Sequence, residues 1–234
     1  MKRLYILLLT LMAFAGALKA QPGHASMRNF EISAGYSYLL TSTGDVLGKM
    51  RTHLHGAHVG LSYNWNFKQE RWGAVSLEPG VKFSYVMNIE AENEYKDINK
   101  TSLRESYVDV PLFVKYSYRH NYFTVLGFIG PEFSAGLTST SRVFLKKYMV
   151  KCNNYTGERT IHGSRQEIEV DGYHFQNYGR YDLRLSAGVG FVFVDRFSLR
   201  ASYHMGVLNR YNGVRSSYWK RRTNVIDVSL GYKF

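Results

Sequence analysis

Ser202 and His204 stand two residues apart in Arg200-Ala-Ser-Tyr-His204, a spacing that places both on one face of an extended segment. A serine bonded to a histidine is the core of nucleophilic ester hydrolysis, provided an acid orients the imidazole. The sequence places no acid beside them, so two interior polar side chains are the favoured account. His58 occupies the same kind of face in its own segment. Two histidines without a third ligand at recognisable spacing do not compose a metal centre. Cys152 is the one cysteine, which excludes both an intramolecular disulfide and a multi-cysteine metal site. No cofactor or metal is expected.

The elements that carry these residues alternate with period two, not 3.6. Eight segments each have one apolar face: Phe30 to Leu40, Ala57 to Phe67, Val75 to Met87, Val108 to Tyr118, Phe123 to Leu137, Leu183 to Phe193, Phe197 to Val207 and Ile226 to Phe234. Those faces hold no charge, amide or aliphatic hydroxyl. A charge in the middle of a lipid-facing strand costs about 2–4 kcal/mol, enough to enforce such purity. The opposite faces are small or polar, rich in Gly and Ser. They carry Glu31, Glu78, Asp109, Glu132 and Asp227 against Lys82, Lys115, Arg184, Arg200 and Lys233. A water-facing surface would need no small residues, whereas the crowded inside of a narrow closed barrel would, and there only balanced, paired charge is tolerable. Leu39, Val86, Pro111, Phe113, Leu126, Phe128 and Val192 are the apolar exceptions.

The expected fold is all-β: an eight-stranded antiparallel up-and-down transmembrane β-barrel over residues 30–234. Connections 68–72, 119–122 and 194–196 are short, and 41–54, 88–106, 138–181 and 208–223 are long. This is the layout of an outer-membrane barrel with periplasmic turns and extracellular loops. Aromatic residues gather at the short-turn end, among them Phe30, Trp65, Phe67, Trp72, Tyr118, Tyr122, Phe123, Phe193, Phe197, Tyr232 and Phe234, as an interfacial girdle requires. The soluble alternative, a lipocalin-like barrel with the apolar face inward, would need a polar exterior of long charged side chains. Pro79, Pro111 and Pro131 lie inside expected strands and each removes a ladder donor, so bulges and one-residue phase slips are expected there.

Residues 1–20 combine Lys2 and Arg3 with an uncharged apolar run to Ala17, the pattern of a cleaved secretory signal peptide. Residues 21–29 would form a short periplasmic segment. Losing Lys2, Arg3 and Lys19 would lower the formal charge of the 234-residue chain from +12 to +9. With the inner charges balanced, the excess belongs to the loops. The last loop holds Arg210, Arg215, Lys220, Arg221 and Arg222 with no acid, and Tyr211, Tyr218 and Trp219 lie among them. Export makes nucleic acid an unsuitable partner. Lipopolysaccharide phosphates suit Arg and Lys better, and a solvated loop without a ligand is the plain alternative. In the third loop, Val143-Phe-Leu145 and Gln166-Glu-Ile-Glu-Val170 are expected to extend the fifth and sixth strands into an external hairpin.

Tyr107-Val-Asp-Val-Pro-Leu-Phe-Val-Lys-Tyr116, Gly127-Phe-Ile-Gly-Pro-Glu-Phe133, Asp182-Leu-Arg-Leu-Ser-Ala-Gly-Val-Gly-Phe191 and Arg200-Ala-Ser-Tyr-His-Met-Gly-Val-Leu-Asn209 resemble the outer-membrane β-barrel domain common in Bacteroidetes and often labelled PorT-like. That resemblance covers about residues 30–234. It implies an eight-stranded outer-membrane barrel, says little about activity, and supplies no functional residues. A subset of such proteins serves type IX secretion. The expected function is a monomeric, non-enzymatic membrane anchor whose loops bind lipopolysaccharide or an envelope or secretion protein. A secretion component, a lipid-modifying enzyme and a narrow pore are the alternatives.

Overall fold

The structure is a computed structural model. It describes residues 29–44, 49–70, 72–88, 98–120, 123–145, 149–162, 178–211 and 220–234. The expected signal peptide, most of the segment 21–29, Arg215 and Gln166–Val170 lie outside the described residues.

Among the described residues eleven strands are formed: β1 (Phe30–Gly44), β2 (Lys49–Tyr63), β3 (Trp65–Glu70), β4 (Gly73–Met87), β5 (Ile98–Arg119), β6 (Phe123–Leu145), β7 (Met149–Asn153), β8 (Arg159–His162), β9 (Tyr181–Phe193), β10 (Phe197–Gly206) and β11 (Lys220–Lys233). β2 and β3 pair with β4 in a common register, from Ser62↔Gly80 to Trp65↔Leu77, and act as one barrel strand interrupted at Asn64. β1 pairs with β2 on one side and with β11 on the other, from Glu31↔Lys233 to Gly44↔Lys220. This pairing of first and last strands closes an eight-stranded antiparallel barrel and leaves no sheet edge inside the membrane, as the missing water there demands.

The expected proline bulges do not form. The β4–β5 register is the same on either side of the opening between Pro79↔Leu112 and Lys82↔Asp109. The β5–β6 register likewise holds between Pro111↔Glu132 and Val114↔Ile129. Each proline is paired on one side, at Pro79↔Leu112, Pro111↔Glu132 and Pro131↔Leu185, and faces an opening in the ladder on the other, so the phase never slips. Gly130 lies in the second opening. A Cβ there would stand 2.2 Å from the Leu112 carbonyl oxygen, so only glycine lets the two backbones approach. The register shifts that occur are elsewhere, between Asn66 and Lys68 and at the outer end of β5–β6, where Ser106↔Thr138 follows Tyr107↔Gly136. The second shift turns Ser139 and Val143 inward, although the odd positions of β6 below it face outward.

Strands also run further into the expected loops than the apolar alternation marked. β1 reaches Gly44, β2 starts at Lys49, β5 at Ile98 and β11 at Lys220. Above the membrane, polar side chains on both faces carry the ladder, so the hydrophobic signal stops before the strand does. The external hairpin exists in part: β6 continues through Val143–Leu145 as expected. Its partner is Met149–Asn153, followed by β8, in place of Gln166–Val170.

The normal polarity of a folded protein is inverted across the wall. Val189 is 60% exposed and Leu230 67%, while Glu132 is 0% exposed and Arg184 1%. The apolar exceptions on the inner face explain themselves as two dry plugs. Phe113, Leu126, Phe128 and Val192 form one, and Leu39 and Val86 join Leu54, Leu103, Tyr107 and Val225 in the other, with Pro111 in neither. At the short-turn end, Phe30 stacks on Phe234 at 6.1 Å and meets Tyr63 edge-on at 4.8 Å, and Trp65 lies 5.4 Å from Phe67. These rings form the girdle.

Candidate functional site: the lumen and its extracellular rim

Residues that alternate inward from different strands converge in the lumen. Arg200 from β10 reaches Glu31 on β1 at 2.6 Å and pairs with Glu78 on β4, which also accepts from Lys115 of β5 at 2.5 Å. Lys233 stands 3.9 Å from Glu31. Higher up, Lys82 donates to Asp227 at 2.7 Å and to Glu132 at 3.3 Å, with Asp109 at 3.6 Å. Arg184 lies 3.2 Å from Asp109 and 3.1 Å from Glu132. All ten charges expected inside the barrel therefore meet partners of opposite sign there. In a low dielectric an unpaired charge would cost several kcal/mol, so the interlock is what lets these groups be buried.

Ser202 and His204 do meet. The Ser202 hydroxyl is 2.9 Å from His204 Nε2. The acid that the local sequence lacked comes from other strands: Glu132 lies 3.1 Å from Nδ1 and Asp227 3.2 Å from Nε2. Ser186 also bonds Nδ1 at 2.7 Å. The Ser–His–Glu connectivity is that of a hydrolytic triad, but both ring nitrogens are shared with other groups. The adjoining cavity is about 70 Å³, lined by His58, Lys82, Phe128, Glu132, Ser202, His204 and Asp227 among others. It has room for a few waters. His58 bonds Ser37 at 2.8 Å and lies 3.8 Å from Asp227. Among the described residues no cluster of three or more metal-ligating side chains is found.

The apolar outer band ends at Leu40, Val108, Leu137, Tyr181, Val207 and Ile226. Beyond it lies a second buried cluster, at the end of the barrel that carries the long connections. Here two expectations are corrected. Arg210 and Arg221, expected as solvent-facing loop cations, are 1% and 2% exposed. Arg221 continues the inward phase of β11 through Asp227, Val225 and Thr223. Its guanidinium lies 3.5 Å from Glu105 and stacks 3.6 Å over the Tyr178 ring. Arg210 donates to the Gly179 carbonyl at 3.1 Å, to Tyr107 at 3.2 Å and to Thr223 at 3.3 Å. Tyr155 sits 3.4 Å from the same guanidinium and rests on Gly136, where a Cβ would collide with its hydroxyl. Glu105 also accepts from Tyr107 and, at 2.8 Å, from Ser139. Lys220 and Arg222 do face outward, as expected of them.

These rim groups titrate away from their usual ranges. Burial alone would push the Glu105 carboxyl up, but the Arg221 and Arg210 guanidiniums outweigh it and hold it low. Burial pushes the Tyr155 phenol up to about 12 and raises Tyr178 as well. The Cys152 thiol is raised by burial too, which keeps it protonated and inert.

Sequence reasoning missed Glu105, Asp182, Arg210 and Arg221 as inner groups. For Glu105 and Arg221 a signal existed: the period-two phase of Asp109 and Asp227, carried outward, lands on them. Arg210 follows the end of β10, and no periodicity marks it. With these included, among the described residues the inner acids Glu31, Glu78, Glu105, Asp109, Glu132, Asp182 and Asp227 match Lys82, Lys115, Arg184, Arg200, Arg210, Arg221 and Lys233 one for one.

A closed barrel with this inverted polarity accords with the match of residues 6–234 to the family model described as outer membrane protein beta-barrel domain. The chain belongs to that family. This outer-membrane barrel also resembles several solved structures. Ail, the attachment invasion locus protein of Yersinia pestis, is 15% identical, with 89% of this chain and 100% of that one covered and a TM-score of 0.43. Neisserial surface protein A is 13% identical, with 88% and 97% covered and a TM-score of 0.44. The outer membrane enzyme PagL is 11% identical, with 86% and 99% covered and a TM-score of 0.38. No curated protein matches.

Proposed function

We infer that the protein is a non-enzymatic outer-membrane anchor whose extracellular end contacts lipopolysaccharide. The observation that carries this reading is the interlocked lumen. Charged pairs and two apolar plugs fill it along the described residues, and the cavity beside His204 is too small for an acyl ester. A narrow barrel so filled serves as a rigid support and not as a conduit. The Ser202–His204 pair acts in that account as part of the filling.

Planar-bilayer recording of the full chain should give no single-channel steps. Lipid A from cells carrying the protein should have the same mass profile as lipid A from cells carrying Ser202→Ala. Steady conductance, or a lipid A product lost in Ser202→Ala, would overturn the reading. A second reading draws on the extracellular β6–β7–β8 extension, a ready surface for a partner in a PorT-like secretion assembly. Co-purification of an envelope protein that is lost on removing residues 143–178 would favour it.

A further inference from the structure

The lipid-facing side of β2, β1 and β11 changes character where the apolar band ends. Ser42 is paired with Arg51 on one neighbour and with Arg222 on the other. Two residues outward, Gly44 is paired with Lys220. On these strands the inward positions are Thr41, Thr43, Leu54, Arg221 and Thr223, all buried, so Arg51, Arg222 and Lys220 project to the outside and are exposed. Among the described residues none of the three makes an ion pair. Their backbones are held in the ladder, so the two arginines flank Ser42 at a separation of about 10 Å, twice the strand spacing. Below them, towards the membrane centre, β1 presents Leu40, Tyr38 and Tyr36, β11 presents Asn224 and then Ile226 and Val228, and β2 carries His53 and His55, bonded to the two tyrosines, before its apolar face begins at Ala57.

A cation triplet at the edge of a low-dielectric layer repels itself unless an anion joins it. The fitting anion has two properties: oxygens that accept from two guanidiniums, and an apolar body lying on the strip beneath. Guanidinium forks match phosphate oxygens in just this way. The long connections place this end of the barrel in the outer leaflet, whose anionic lipid is lipopolysaccharide.

We propose that Arg51 and Arg222, with Lys220 beyond them, form a phosphate clamp for lipid A on the outer wall of the barrel, with its acyl chains along Leu40, Tyr38, Ile226 and Val228. This deepens the lipopolysaccharide-contact reading above and rests on it. The site lies on the wall, not in the loops, and on one side of the barrel only.

The test uses the full chain refolded in phosphatidylcholine nanodiscs. The readout is the temperature at which the folded band is lost on unheated gels, titrated with bisphosphorylated lipid A, dephosphorylated lipid A or phosphatidylglycerol. Bisphosphorylated lipid A should raise the midpoint of the natural chain. The double variant R51Q/R222Q should need at least about tenfold more of it, since each arginine loses charge-assisted bonds to phosphate. Arg104→Gln, an exposed cation on β5, should respond like the natural chain. Both sites are exposed, so the variants should fold normally without lipid. A double variant that still responds fully would overturn the clamp while leaving the broader lipopolysaccharide reading intact. No response of the natural chain would remove both. An equal effect of dephosphorylated lipid A, or of phosphatidylglycerol through the same arginines, would also overturn the assignment to lipid A phosphate.

Discussion

Glu105 is the carboxylate at the centre of the rim. It pairs with Arg221, accepts from Tyr107 and Ser139, and stands beside Arg210 through the Tyr107 hydroxyl. Glu105→Ala would leave buried guanidinium charge without its counter-ion, and about 3–5 kcal/mol of stability should be lost. The folded band on unheated gels should melt at a clearly lower temperature, and the segment around Tyr178 should become open to protease. The pH dependence has a definite sign at each end. Because the Glu105 carboxyl is held low in the folded rim, its contribution is complete above the unfolded value of about 4.3 and fades as pH falls below it. Because Tyr155 is pushed up to about 12, rim stability declines as pH rises from about 10 through that value. Protection of the Gly179 and Tyr211 amides, relative to their intrinsic exchange rates, should therefore fall at both extremes while the barrel wall stays protected. Protection that is unchanged across the pH range would argue against a Glu105-centred rim.

At the scale of elements, the turn between β9 and β10 is the tightest constraint. Val194 and Asp195 both hold positive φ, 51° and 54°, and Arg196 donates back to the Phe193 carbonyl at 3.0 Å. This mirror-image turn matches the twist of a hairpin, but a β-branched residue is poorly suited to it. Val194→Asn should stabilise the protein by about 1 kcal/mol, read as a higher melting temperature of the folded band. The opposite end has a different constraint. Gly136 gives Tyr155 its seat, so Gly136→Ala should expel that ring and weaken its contact with Arg210. The loss should appear as faster proteolysis within residues 153–159 with the barrel still folded. The prolines show why element-level expectations failed. A missing donor need not create a bulge when the ladder opens on one side of the proline and closes again in register.

For the whole molecule, the membrane acts as solvent and the lumen as core. Val189→Arg should cost about 2–4 kcal/mol and cut the amount reaching the outer-membrane fraction, because that side chain faces lipid. Ser117→Asn, pointing the other way from the same wall, should be nearly silent. Equal loss for both would mean the two faces are exchanged. Ser186 is a poor control for this comparison, since its hydroxyl holds His204 at 2.7 Å.

The eight strands, their inward and outward faces, the girdle and the ten inner charges were legible in the residues alone. Alternation with period two is a local property, and each lipid-facing strand must satisfy it by itself. Partnership was not legible, because it depends on which strands become neighbours and at what height. Glu132 and Asp227 meet His204 from β6 and β11, and no spacing within one segment reveals that. Arg210 and Arg221 read as free loop cations because above the membrane neither face of a strand needs to be apolar. Only barrel closure, which pairs β1 with β11 and brings Tyr107, Tyr155 and Tyr178 around them, turned those two inward and left Arg222 outside beside Arg51.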